Sequence, residues 1–149
     1  TLIDGGHWLG VLLVQLPPSF GFDRPLADRF IRALRRRLDA PVALEPRHRS
    51  WFTSEVAAWL ADLGIARVAA DPAPVAEAGR PGGWRGLAYY RWHGSPRIYY
   101  SDYDAGALAS LKSTLDESCR RGVPTWCIFD NTALGAALGN ALALVRSGV

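Results

Sequence analysis

The stretch ALEPRHRSWF, residues 43–52, sets Glu45, Arg47, His48 and Arg49 directly behind a short apolar run. Ionisable side chains cost free energy to bury, so such a strand end either delivers charge to a site or runs out into water. Four other apolar runs end in the same way. Gln15 closes the first, Asp71 the third, Arg91 and His93 the fourth, and Asp130 and Asn131 the fifth. Glu45 and Arg47 are two residues apart and share a strand face if the strand persists past Pro46. Tyr89, Arg91 and His93 share another, with Tyr90 and Trp92 on the opposite side. Glu45 can pair with Arg47 or Arg91, which gives two buried charges partners. His93 beside a carboxylate can work as a general acid or base near neutral pH. On this reading Glu45, Asp71 and His93 are the acid–base candidates. Gln15, Arg47, His48, Arg91 and Asn131 would hold a small polar, anionic ligand.

Each residue also has a plainer reading. Glu45 with an arginine can be a structural ion pair, His48 a loop residue in a turn, Asp71 a turn initiator before Pro72, and Asn131 the N-cap of the last helix. The shared location at the strand ends favours the site.

The elements that must position these groups follow from hydrophobic period. Apolar, β-rich runs lie at residues 11–15, 42–45, 65–70, 87–92 and 125–129. Leu26, Phe30, Leu34 and Leu38 repeat every four residues behind Asp23, a suitable N-cap, with Pro25 in the first turn. Val56, Leu60 and Leu63 repeat the pattern up to Gly64, which suits the residue after a helix C-cap. Leu108, Leu111 and Leu115 follow Ser101 and Asp102, either of which can cap, and Gly122 closes that helix. Ala133, Ala137 and Ala141, with Leu138, Leu142 and Val145, make the last one. The segment 73–86 is rich in Gly and Pro and reads as a loop. The order β-α-β-α-β-loop-β-α-β-α predicts parallel strands covered by helices. In such folds ligand sites form at the C-terminal strand edge, where the polar residues gather. Arg29, Arg32, Arg35 and Arg36 read as a solvated helix face. Trp51, Phe52, Tyr99 and Tyr100 flank the polar strand ends and either wall a pocket or pack under loops.

The 149 residues, 49% hydrophobic and 21% charged, suit one globular domain with a real core. No apolar run approaches the roughly 18 residues of a membrane-spanning helix, and the N-terminus lacks the pattern of a signal peptide. The chain is therefore read as cytoplasmic. A net charge of +3 permits anionic ligands without demanding nucleic acid. Cys119 and Cys127 fall in neither a zinc nor a redox spacing and read as structural thiols. No metal-ligand spacing is evident, no phosphate loop or nucleophile motif occurs, and no cofactor is indicated. The chain contains no Met, so Thr1 is not an intact initiator. It reads as processed, trimmed, or a piece of something longer.

The stretches VLLVQLPPSF, ALEPRHRSWF, RVAADP, AYYRWHG with YYSDYD, and FDNTALGAALGNALAL together resemble the YecE-like proteins, known as domain of unknown function seventy-two. They run in that family's order from Gly10 onward. The resemblance implies a TIM-barrel fold and an activity that is not established. Its polar strand-end positions fall on Gln15, Glu45, Arg47, His48, Asp71, Arg91, His93 and Asn131, and its last-helix pattern on Gly135 and Asn140. Pro46 stands where the family has an aromatic or apolar residue. The family's first three β/α units, which carry a G-T-S-G-W-type strand end, have no counterpart here.

The expectation is a single domain over 1–149, an incomplete (β/α) barrel of about five parallel strands with covering helices. It would bind or act on a small anionic ligand. The alternatives are a non-catalytic binding module or an inactive barrel remnant. Five strands cannot close a barrel that takes eight, so the first and fifth runs are open edges. A homodimer is expected to cover them, with residues 1–8 helping at the first edge.

Overall fold

A computed structural model describes residues 9–148. Residues 1–8, expected to help cover the first edge, lie outside the described part. The elements run β1 (Leu12–Gln15), α1 (Arg24–Arg35), β2 (Val42–Glu45), α2 (Ser54–Asp62), β3 (Ile65–Arg67), β4 (Ala69–Asp71), β5 (Gly82–Gly83), β6 (Ala88–Trp92), α3 (Ala105–Arg120), β7 (Thr125–Phe129) and α4 (Ala136–Arg146). Short 3-10 turns occupy Arg49–Trp51 and Ala76–Gly79.

The strands form two sheets, ordered β1-β2-β3-β5 and β4-β6-β7, and every pairing except β3 with β5 is parallel. The third expected run is thus two strands. At the break the Val68 amide still donates to the Leu44 carbonyl at 2.9 Å, and from Ala69 onward the chain pairs with β6 instead. The expected loop at 73–86 contains β5, antiparallel to β3. Two glycines carry no periodic signal, which hid it. Only glycine fits the second position: φ is 64° at Gly83, and a Cβ there would stand 2.5 Å from the Ile65 carbonyl oxygen.

Strand alternation divides the core. Val42, Leu44 and Ile65 pack under α1 and α2 with Ile31, Val56, Trp59 and Leu60. Ala69, Ala88 and Tyr90 pack under α3 and α4 with Leu111, Leu115 and Leu144. The opposite strand face carries Ala43, Ala66, Val68, Leu87 and Tyr89. Val11, just before β1, Leu13 of β1 and Ile128 of β7 all pack against this one cluster, although β1 and β7 stand at the two ends of the strand order. That face therefore curls towards itself.

The helices form where their caps lie, but the buried lines shift. Asp23 accepts from the Leu26 amide and starts α1 as expected. Leu26 and Phe30 are nevertheless 41% and 48% exposed, while Ala27 and Ile31 are buried. A strict four-residue repeat precesses on a 3.6-residue helix, and the small Ala27 lets the backbone approach the sheet. Arg35 is no solvated residue: it donates to the carbonyls of Ala40 at 2.8 Å and Gly64 at 2.6 Å. Gly64, with φ 65°, follows the α2 C-cap as expected. Asp104, not Ser101 or Asp102, caps α3 through the Ala107 amide. α4 begins at Ala136 rather than Ala133, and Leu138, Leu142 and Val145 lie exposed while Asn140 and Leu144 are buried. Burial pushes the Cys127 thiol up to about 12, which suits a structural thiol.

Candidate functional site

β1, β2, β6 and β7 each end in a polar side chain on the curled face. Register explains why: Gln15 pairs with Glu45, and Arg91 with Ile128, two residues before Asp130. The Glu45 carboxylate, 2% exposed, is the centre. Its Oε2 accepts from Arg91 at 2.5 Å, and its Oε1 lies 3.0 Å from both Arg47 and His93 Nε2. Arg91 also donates to Gln15 Oε1 at 2.6 Å and to Asp130 Oδ2 at 2.5 Å. His93 Nδ1 stands 3.1 Å from the same Asp130 oxygen. β2 ends at Glu45, ahead of Pro46, yet Arg47 folds back onto the carboxylate. Glu45 and Arg47 thus join one hydrogen-bonded cluster with Arg91 and His93.

Burial pushes the Glu45 carboxyl up, but the hydrogen bonds from His93 and Arg91, with the charge behind them, outweigh it and hold the group below the usual range. The imidazole finds partners in either protonation state. With both nitrogens protonated it donates to Glu45 and Asp130. With only Nδ1 protonated it donates to Asp130, and Nε2 has Arg47 at 3.3 Å as a donor but also faces the Glu45 Oε1 acceptor at 3.0 Å.

Exposure separates the members. The Arg91 and His93 side chains are 11% and 2% exposed, against 20% for Arg47 and 30% for Asp130. Gln15, Arg47 and Asp130 reach solvent, and Glu45, Arg91 and His93 lie beneath them.

Three expected residues stand apart. Asp71 pairs in register with Trp92, one residue beyond Ala70 and Arg91, and so belongs to the helix-facing side. Its carboxylate accepts from the Tyr103 hydroxyl at 2.7 Å. Burial, then the Asp71 carboxylate, push the Tyr103 phenol well above its ordinary range. His48 caps the 3-10 turn: Nδ1 lies 2.8 Å from Ser50 Oγ, which accepts from the Phe22 amide. Asn131 is fully buried and does not cap α4. Its amide donates to Ser101 O at 3.0 Å and Asn140 Oδ1 at 2.7 Å. Asp130 belongs to the cluster in its place. The two-residue rule that links Arg91 to His93 would have found it, counted from Trp126 and Ile128.

A cleft of about 1010 Å³ opens elsewhere, between α2, α3 and the segment around β5. Its floor is Gly83, Leu87 and Ala88, and its arginines, such as Arg85 and Arg121, are exposed on the surface. None of the clustered strand-end groups lines it.

The crystal structure of a DUF72 family protein from Thermotoga maritima matches with a TM-score of 0.75 at 28% identity, over 92% of this chain and 56% of that one. A DUF72 family protein from Enterococcus faecalis matches with a TM-score of 0.74 at 21% identity, over 91% and 59%, and that likeness concerns the fold. The chain thus spans under two thirds of the length of either. No curated protein matches it. The family model described as a protein of unknown function, DUF72, matches residues 2–148, and the chain belongs to that family.

Proposed function

We propose that the C-terminal strand ends bind a small anion, with Arg47 as its contact and the Glu45–Arg91–His93–Asp130 network beneath as a proton-holding base. One observation carries this reading. Strands from both sheets converge on one hydrogen-bonded group, and its outward guanidinium bonds within the group through a single nitrogen. The Arg47 donors left over suit a phosphate, sulfate or carboxylate. A partly exposed carboxylate, Asp130, beside a buried imidazole supports acid–base work on what binds there. A ligand that binds only the native state raises the melting temperature with log concentration. Inorganic phosphate should do so here, and sodium chloride at matched ionic strength should not. An equal response to both salts would mean that the cluster is a structural ion network.

The architecture that fits is an incomplete (β/α) barrel wall of five parallel positions, β1, β2, β3 with β4, β6 and β7. The ladder bond from Val68 to Leu44, where the chain passes from β2 to β6, supports that continuity. Among the described residues β1 and β7 each pair on one side only, and the helices beside them expose Leu26, Phe30, Leu138 and Val145. A second copy of the chain would cover these edges. Light scattering on the eluting peak should give twice the chain mass, and a folded monomer at high micromolar concentration overturns the dimer. Among the described residues no helix is long and apolar enough to cross a membrane. Two free thiols suit a cytoplasmic setting.

A further inference from the structure

Tyr99 has a φ of 70°, the one positive value among the described non-glycine residues. A left-handed backbone is costly for any side chain with a Cβ, and a bulky one there is an outlier that asks for a reason. The conformation is held from both sides. The Tyr99 amide donates to the His93 carbonyl at 2.5 Å, and its carbonyl accepts from the Ala133 amide at 3.0 Å. The rest of the loop is equally tight. Gly94 turns out of β6 at φ 97°, Ser101 Oγ accepts from the Arg97 amide at 2.9 Å, and the Arg97 guanidinium covers the Tyr100 ring at 3.8 Å.

This loop sets the Tyr99 ring edge-on against the His93 imidazole, with centroids 6.0 Å apart and planes at 87°. Yet Tyr99 remains 40% exposed, as do Ile98 and Tyr100 on either side of it. Three consecutive apolar residues therefore meet solvent beside the most highly charged part of the molecule. Folding gains little from this. Glycine at 99 would relieve the backbone, and a polar side chain would spare the exposed ring. Arg47 and Tyr99 flank the same imidazole, one as an anion contact and the other as an aromatic surface.

We infer that Tyr99 is the ring platform of the anion site, so that its ligand joins an anionic group to a flat apolar ring, as in an aryl phosphate or aryl carboxylate. This inference rests on the anion reading of Arg47, and the experiment separates the two. Inorganic phosphate and phenyl phosphate are titrated by calorimetry into the wild-type chain and into Tyr99→Gly and Tyr99→Phe. Phenyl phosphate should bind about tenfold more tightly than phosphate to the wild type and to Tyr99→Phe, as a ring contact of about 1.4 kcal/mol gives. In Tyr99→Gly the ratio should fall to about one while phosphate still binds, with a denaturant midpoint no lower than that of the wild type. No aryl advantage in the wild type, or an advantage that survives in Tyr99→Gly, overturns the platform alone. Failure of both ligands to bind the wild type overturns the anion reading and the platform together.

Discussion

Asp130 and Asn131 are neighbours in the chain, yet they belong to two polar networks built on different physics. Asp130 joins the ionic cluster on the curled strand face, where Glu45, Arg47, Arg91 and His93 exchange charge-assisted hydrogen bonds and two members reach solvent. Asn131 joins a network on the helix side built from side-chain amides, with one exposed carboxylate, Asp102, at its edge. There Asn140 Nδ2 donates to Asp102 Oδ1 at 2.7 Å and to Tyr103 O at 3.2 Å, and Asn140 Oδ1 accepts from Asn131. Amides need no counter-charge and can be closed off from water once bonded. Charges held beside solvent keep the capacity to bind or to move a proton. The difference teaches that polar residues at one sheet edge need not serve one purpose. Alternation sends one set to the site and the other to the joint between sheet and helices.

The largest effect should come from breaking the centre of the ionic network. Glu45→Ala removes the buried carboxylate that Arg91, Arg47 and His93 share, leaves Arg91 only the partly exposed Asp130 as a carboxylate partner, and should cost about 2–4 kcal/mol. Urea unfolding measures it. A loss under about 0.5 kcal/mol would place Glu45 with ordinary surface positions and erase the contrast. The amide network should respond next. Asn140→Ala takes from the buried Asn131 Nδ2 one of its two acceptors, leaving Ser101 O, at a cost of about 1–3 kcal/mol. Phosphate affinity should stay unchanged. Weakened binding in Asn140→Ala would show that the two networks act as one.

How much of this the sequence made legible follows from parity and period. The convergence of Gln15, Glu45, Arg91 and His93 was readable, because a two-residue repeat on buried parallel strands fixes which side chains share a face, whereas Arg47, past the end of β2, arrives by folding back. The same rule places Asp71 on the wrong side and Asp130 on the right one, but only once register with β6 is known. The caps at Asp23 and Gly64 were legible because they are local. The buried lines of α1 and α4 were not, because what a helix buries depends on its neighbours. Leu138 stays exposed while Asn140, two residues on, is buried against Asn131 and Asp102. β5 was hidden because Gly82 and Gly83 carry no side-chain pattern. Nothing in a tyrosine's identity announces the positive φ at Tyr99, which depends on bonds to His93 and Ala133.

Acidification should separate the networks more gently. The Glu45 carboxyl is held below the value it has in the unfolded chain, about 4.3 for a free glutamate. A depressed carboxyl contributes its stability in full above the unfolded value. That contribution falls away as the pH drops below it and through the folded value. The urea midpoint should therefore decline on acidification in the wild type and decline less in Glu45→Gln. Asn140→Ala leaves Glu45 and its partners in place and should keep the Glu45 part of that decline. Equal slopes in wild type and Glu45→Gln would remove Glu45 as the titrating element.

The smallest effect on stability should come from Arg47, and its smallness is the point. Its side chain is 20% exposed, and Glu45 keeps Arg91 and His93 as partners without it. A partly solvated ion pair of this kind contributes about 0–1 kcal/mol. Arg47→Gln should therefore unfold close to the wild-type urea midpoint. It removes the guanidinium whose remaining donors face outward, so the phosphate-dependent rise in melting temperature should vanish. Asn140→Ala should show the reverse, less stable with the phosphate response intact. A residue of the ionic face that matters for binding and hardly for folding, set against a residue of the amide face that matters for folding and not for binding, is what two separate networks require. If Arg47→Gln loses stability as heavily as Glu45→Ala and phosphate still protects it, Arg47 is part of the scaffold and the anion contact lies elsewhere.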